Sequence, residues 1–269
     1  MSDDTHDKHD KHDKHKRDEL DDELEHDEHN DGDDDYGEVE APGWDAIDHW
    51  VGSHFRSEHG DQVPHQFTSH TAYDVDSASP LPAITVWGTT SPPGWLYVTY
   101  GLSELFDKSS PDQTMSGFGF ELSLRIPKPP GQNGGSKPPV WPLRLLQSLG
   151  RHVLSTRTGF DSGHALDLGA SLVPGGSDGP EDSVLTGLIC VPDPLLGKIE
   201  TVHGSLLFLR LFGVSAEELA ILSELELGSL VACIAELSPL GVTDARRGSF
   251  TDDPERGKIL ARYRLGIEL

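Results

Sequence analysis

"SGFGFELSLRI", residues 116–126, decides the fold, because it supports two opposed readings. Gly117-Phe118-Gly119 has the look of the start of a phosphate-gripping loop. Yet Phe118, Phe120, Leu122, Leu124 and Ile126 alternate strictly with Gly119, Glu121, Ser123 and Arg125. A dinucleotide fingerprint needs its glycines after a strand and at the opening of a helix, where free amides meet the phosphates. Here the alternation runs on past the glycines, so the stretch reads as a half-buried strand, apolar side on the core and polar side in water. Glu121 then lies on the polar face, where a solvated carboxylate is expected. Gly119 marks the close approach of another backbone or side chain.

Working outward, "AITVWG" (83–88) and "WLYVTYGL" (95–102) are further strand segments, and the polar "SELFDKSSPDQTM" is a loop. Upstream, Pro42-Gly43 precede "WDAIDHWVGSHF", in which Trp44, Ile47, Val51 and Phe55 repeat at helical spacing. Downstream, "KPPGQNGGSKPP" (128–139) is a surface loop. Pro142 suits the first turn of a helix in "VWPLRLLQSLGRHVLS", with Leu145, Leu149 and Val153 on one face. Residues 160–183 read as a long irregular connection. "SVLTGLICV" (183–191) and "GSLLFLRLF" (204–212) read as strands, the second covered on both faces. Ser215-Ala-Glu-Glu218 is a capping box; its helix runs through "LAILSEL", breaks at Gly228 and resumes through "SLVACIAEL". "GVTDARRGSF" (241–250) reads as a closing strand and loop. Strands in runs with irregularly inserted helices predict an α+β fold, a mixed or antiparallel sheet with packed helices.

Charge divides the chain. Residues 1–40 hold 19 Asp and Glu against 5 Lys and Arg, a net of −14 out of −25. With almost no apolar surface to offset ordering entropy, they are expected to be a disordered acidic tail, and residues 41–269 the folded domain. The tail's "HDKHDKHDKH" sets His6, His9, His12 and His15 at intervals of three, a weak ligand set for nickel, zinc or copper. The alternative reading is a solubilising tract. The folded part keeps 27 acids and 16 bases, net −11, which argues against nucleic acid or anionic membrane as partner. No apolar run reaches a membrane-spanning length, and the N-terminus lacks a secretory core, so a cytoplasmic location is expected. Cys190 and Cys233 sit in apolar runs and read as buried, inert thiols.

Catalytic motifs are missing. Gly197-Lys198 lacks both the earlier glycine and the following Ser or Thr of a P-loop, Ser103 in "YGLSELF" lacks the second glycine of a nucleophile elbow, and H-E-x-x-H does not occur. Five of the folded part's histidines fall within 49–70 at irregular spacing and read as solvated surface residues. No cofactor is expected.

The ordered series "GWDAIDHW", "YVTYGLSELF", "SGFGFELSLRI", "WPLRLLQSLGRHVLS", "TGFDSGH", "TVHGSLLFLRLFGVSAEELAIL" and "VTDARRGSF" resembles the N-terminal domain of the Suppressor of fused family over residues 43–250. The resemblance implies binding rather than turnover: animal members hold transcription factors through a short peptide added as a strand between two domains. Bacterial single-domain relatives are thought to be immunity proteins that neutralise toxins. The family's peptide-binding pattern falls here on His152, where animal members have tyrosine, and on Ser162, Gly163 and His164. The acid of the animal turn is absent, and Asp161 is the nearest substitute. The resemblance therefore implies a non-catalytic protein-binding domain, with those five residues facing a protein or peptide partner, which the acidic surface suggests is basic. The competing class is a hydrolase using Asp161, His164 and Glu121, and a third reading gives the histidine-rich tail a metal-binding or chaperone role.

Overall fold

The computed structural model describes residues 40–57, 60–61, 63–68, 79–128, 137–173 and 178–266. The expected tail lies outside these residues except for Glu40, and with it His6, His9, His12 and His15. In chain order the elements are α1 (Pro42–Ser53), β1 (Arg56–Ser57), β2 (Gly60–Asp61), β3 (His65–Thr68), β4 (Ala83–Thr90), β5 (Pro93–Tyr100) and β6 (Met115–Pro127). They continue with α2 (Trp141–Thr156), β7 (Ala165–Asp167), β8 (Gly187–Pro192), β9 (Lys198–Thr201) and β10 (Gly204–Val214). Then come α3 (Ala216–Leu222), α4 (Leu227–Leu237), a 3₁₀ turn (Pro239–Gly241) and α5 (Pro254–Arg264).

Among the described residues, strands β3 to β10 form one sheet in the order β3-β4-β5-β6-β10-β8-β7, with β9 also paired to β10. All neighbours are antiparallel except β10 and β6, which run parallel. This is the mixed sheet of an α+β fold. One face packs on α2 through Leu122, Leu124, Leu146, Val153 and Leu211. The other is covered in two parts. α1 covers Trp87, Leu96, Val98 and Phe208 with Ile47 and Val51, while α3, α4 and α5 cover Ile189, Val191, Phe212 and Val214.

The expected strand at 116–126 is therefore central, and it is covered on both faces. Phe120, Leu122, Leu124 and Ile126 enter the α2-side core as the alternation requires. The polar set is not solvated: Glu121 and Ser123 are 0% exposed and Arg125 2%. Ser123 Oγ donates to Asp193 Oδ2 at 2.6 Å and accepts from Arg210 Nε at 3.1 Å, and Arg210 also pairs with Asp193 and the Leu240 carbonyl. Despite the opposing effect of burial, Arg210 holds the Asp193 carboxyl below the usual carboxylate range. The two glycines open the strand with φ of +57° and +82°, and the register with β10 jumps there, from Ser205↔Met115 to Leu207↔Phe120. They form a bulge, not a phosphate loop. A Cβ on Gly119 would stand 2.3 Å from the Met115 sulfur, which is the close approach its position implied.

Glu121 closes the loop after β5. Its Oε1 accepts from the amides of Gly101, Leu102 and Ser103 at 2.9–3.0 Å and from Ser103 Oγ at 2.7 Å, while Oε2 accepts from Thr99 Oγ1 at 2.6 Å. Glu104, next along that loop, accepts from Lys108, from the Ser109 and Ser110 amides, and from the amide of Gly117. The Phe118 amide in turn donates to the Leu102 carbonyl at 2.8 Å. "YGLSELF" and "SGFGFEL" thus clasp each other.

Other expectations hold or shift by physical cause. The capping box at Ser215 and Glu218 is present. The helix break falls at Ser223–Glu226 rather than at Gly228, which lies in the first turn of α4 where a glycine does little harm. The expected closing strand reduces to one bridge between Val242 and Arg125. The stretch 160–183 holds the short strand β7, and neither β9 nor α5 was anticipated; α5 is too polar around its circumference to show a helical stripe. Both cysteines are free and buried, and burial pushes the Cys190 thiol up to about 12.

Phe120→Ala is expected to cost about 3–5 kcal/mol in chemical denaturation, the range for a buried phenylalanine. Glu121→Ala strands five donors and is expected to cost more than about 3 kcal/mol. Burial raises the Glu121 carboxyl from 4.5 to about 7, against the pull of Thr99 and the loop amides. The folded state therefore keeps a proton that the unfolded chain releases near 4.5, so this stabilisation is complete below 4.5 and is lost as pH rises through 7. Melting followed from pH 5 to 8 should show that fall in the wild type and a flatter profile in Glu121→Gln.

Candidate functional site

The five residues singled out in sequence gather at one edge of the sheet. In α2, Leu145, Leu146, Leu149 and Val153 are buried, which leaves His152 on the exposed side. Its ring stacks on Phe160, centroids 6.0 Å apart and planes 4° from parallel, and Phe160 in turn meets Phe120 at 6.1 Å. The hydroxyls of Ser155 and Thr156 donate to the His152 carbonyl, and Arg157 ends the helix in a left-handed conformation.

The chain then makes a tight turn. The Asp161 amide donates to His164 Nδ1 and the His164 amide to the Asp161 carbonyl, both at 3.1 Å, and the Ser162 amide donates to Asp161 Oδ1 at 2.7 Å. With Nδ1 accepting, the neutral His164 ring carries its proton on Nε2. Gly163 takes φ +91° and donates to the Cys190 carbonyl, while the Cys190 amide donates to the His164 carbonyl. Two residues thus face one, a bulge that starts β7 against β8.

Beyond the bulge the pairing is regular, with Leu166 opposite Leu188 and the Leu168 amide donating to Thr186. In an antiparallel ladder alternate residues bond to the same neighbour. Ala165 and Asp167 therefore turn their N–H and C=O groups away from β8, toward the open edge. Both are exposed. Leu166 packs into the α2-side core, whereas Ala165 pairs with Ile189 of the opposite core. Among the described residues nothing pairs with that edge, and a strand laid along β7 would find two donors, two acceptors and a different side-chain environment on each side.

A hydrolytic set is not assembled. Asp161 and His164 do meet, but through backbone groups of the turn. Glu121 is fully buried, with both oxygens held by Thr99 and residues 101–103, on the face of β6 opposite to Phe120 and Phe160. The expectation that it serves beside Asp161 and His164 fails, because the loop needed its carboxylate as an acceptor. Among the described residues no group of three or more His, Cys, Asp or Glu could hold a metal ion, and no helix is long and apolar enough to cross a membrane. Two grooves, of about 220 and 700 Å³, flank Pro127 and Asp244 and include none of the five residues. Sequence reasoning did not single out Phe160, which supports His152, although it lies within "TGFDSGH".

The turn's geometry yields a test. Gly163→Ala forces a side chain into a left-handed conformation and is expected to cost about 1–2 kcal/mol. His164→Ala removes an exposed ring and should change stability by less than about 0.5 kcal/mol. Thermal melts of the two variants compare them directly.

The family model described as Suppressor of fused protein (SUFU) matches residues 77–248, which include the whole edge. The human Suppressor of fused homolog is 28% identical over 222 residues, covering 76% of this chain and 43% of its own. The chain thus spans less than half the length of that relative. In the crystal structure of a Sufu–Fu complex, a chain 28% identical superposes with a TM-score of 0.68, covering 82% of this chain and 98% of its own. Drosophila Suppressor of Fused superposes at 0.69 with 27% identity, covering 84% and 55%. From residue 77 to residue 248, clasp and open edge included, this chain belongs to the Suppressor of fused family.

Proposed function

We propose that this chain is a non-catalytic binding protein that captures an extended segment of a protein partner by adding it as a strand to the outer edge of β7. The observation that carries the reading is the pair of outward-facing backbones at Ala165 and Asp167, on a strand whose inner side is fully paired. His152, Asp161, Ser162, Gly163 and His164 flank the N-terminal end of that edge and would meet the partner's side chains. A relative solved in a Sufu–Fu complex supports a protein as the ligand class. The net charge of −11 over residues 41–269, the proposed binding domain, favours a basic partner by steering its approach. We place the protein in the cytoplasm as an immunity or inhibitor protein, one that sequesters its partner, such as a toxin, without consuming it.

Ala165→Pro tests this directly, since proline deletes the outward N–H without touching a bond to β8. The full chain is used to select binders from a displayed library of random nonapeptides. The variant is expected to hold the selected peptides at least about tenfold more weakly, equivalent to one or two hydrogen bonds, at an unchanged melting temperature. Undiminished binding refutes the assignment of the edge.

A further inference from the structure

α4 has an unusual composition for a helix on a surface. "LGSLVACIAEL" carries one charge, Glu236. Its inner stripe, Leu230, Cys233, Ile234 and Leu237, is buried against α5 and β10. Leu227 and Val231, however, stand 43% and 37% exposed, with Ala232 and Ala235 exposed beside them. A helix apolar on all sides is normally covered on all sides. The uncovered stripe starts where the open edge starts: a Cβ on Gly163 would stand 3.8 Å from Leu227 Cδ1.

The pleat connects the two features. Ala165 lies opposite Ile189, a member of the core beneath α3 and α4, so the side chains of Ala165 and Asp167 fall on the α4 side of the sheet. In a strand paired to β7, the residues directly opposite Ala165 and Asp167 project to that same side. Side chains at i and i+2 of a strand stand about 6.6 Å apart, and residues at i and i+4 of a helix about 6 Å, so two alternate residues match the separation of Leu227 and Val231. The acids Asp167, Glu224 and Glu226 are exposed, the first in β7 and the other two in the segment that leads into Leu227.

We propose that the segment taken up by β7 is an amphipathic strand. Its apolar residues, two positions apart, rest on Leu227 and Val231, and a lysine or arginine at a neighbouring position on the same side meets Asp167 or Glu226. α4 is then the surface that selects the partner's sequence, while β7 supplies bonds that any sequence can make. This inference rests on strand addition at β7, and its test separates the two.

A library of random nonapeptides is selected in parallel against the full-length wild type, Ala165→Pro and the double variant Leu227→Gln/Val231→Gln. Both substituted residues of the double variant are exposed, so it is expected to melt with the wild type. The expected result is enrichment by the wild type of sequences with apolar residues at every second position and a lysine or arginine in the same set. The double variant should lose that pattern and bind the wild-type-selected peptides about tenfold more weakly, as loss of two partly buried apolar contacts implies. Enrichment that Ala165→Pro abolishes but the double variant leaves unchanged overturns this inference alone. Enrichment indifferent to Ala165→Pro, or none at all by the wild type, overturns strand addition and this inference with it.

Discussion

The carboxyl of Glu121 is the point on which the arrangement of the sheet depends. It is fully buried, it takes five hydrogen bonds, and four of them come from residues 101–103. Without an acceptor there, three consecutive amides at the end of β5 would be buried unpaired, at about 1–3 kcal/mol each. With it, the loop turns under β6, and Glu104 can reach Lys108, Ser109, Ser110 and the Gly117 amide. Burial works against the charge of Glu104, but Lys108 and these amides prevail and hold its carboxyl well below the ordinary range. The bulge at Gly117 and Gly119 sits inside this clasp. It brings β6 from the clasp into register with β10, and so places Phe120 under Phe160 and His152.

Those contacts tie the buried centre to the open edge. Phe160 rests on Phe120, His152 rests on Phe160, and the turn at 161–164 then starts β7 through its bulge against Cys190. An edge strand is ordinarily a hazard, because any passing strand can pair with it. Here it is short, three residues, and carries an exposed aspartate, which are two of the usual protections. The exposed leucine and valine of α4 oppose that logic on one side only, and in the proposed strand addition this asymmetry would favour a specific segment over indiscriminate pairing.

Much of this was legible in the sequence, and the exceptions share a cause. Period-two alternation located β6 and the apolar run located β10, because each pattern reports burial of its apolar residues. The fate of the polar residues in β6 was not legible. Glu121, Ser123 and Arg125 read as solvent-facing, since alternation cannot distinguish water from a buried network supplied by Asp193, Arg210 and a loop eighteen or more residues away. β7 escaped notice because three residues show no periodicity, and α5 because a largely polar helix shows no stripe. The break before α4 was misplaced by one turn, since Gly228 tells of flexibility but not of which side of it the helix starts. His152 and residues 161–164 were picked out through the resemblance, and the fold brings them together; their spacing alone says nothing of an edge.

The size of the edge decides where affinity has to come from. Ala165 and Asp167 offer four backbone groups, and at about 0.5–1.5 kcal/mol net each they contribute roughly 2–6 kcal/mol. Association itself costs at least about 4 kcal/mol in lost translation and rotation. Backbone pairing alone therefore leaves little or nothing, and micromolar capture requires about 8 kcal/mol of net free energy. The difference has to be made by side chains lying on the two flanks, His152 and Phe160 on one side and α4 on the other. In the proposed capture, part of the entropy cost would already be met, because the turn at 161–164 holds the edge in its bonded geometry. A short, pre-shaped edge between two unlike flanks, acting as proposed, would thus bind weakly by itself and selectively by what surrounds it.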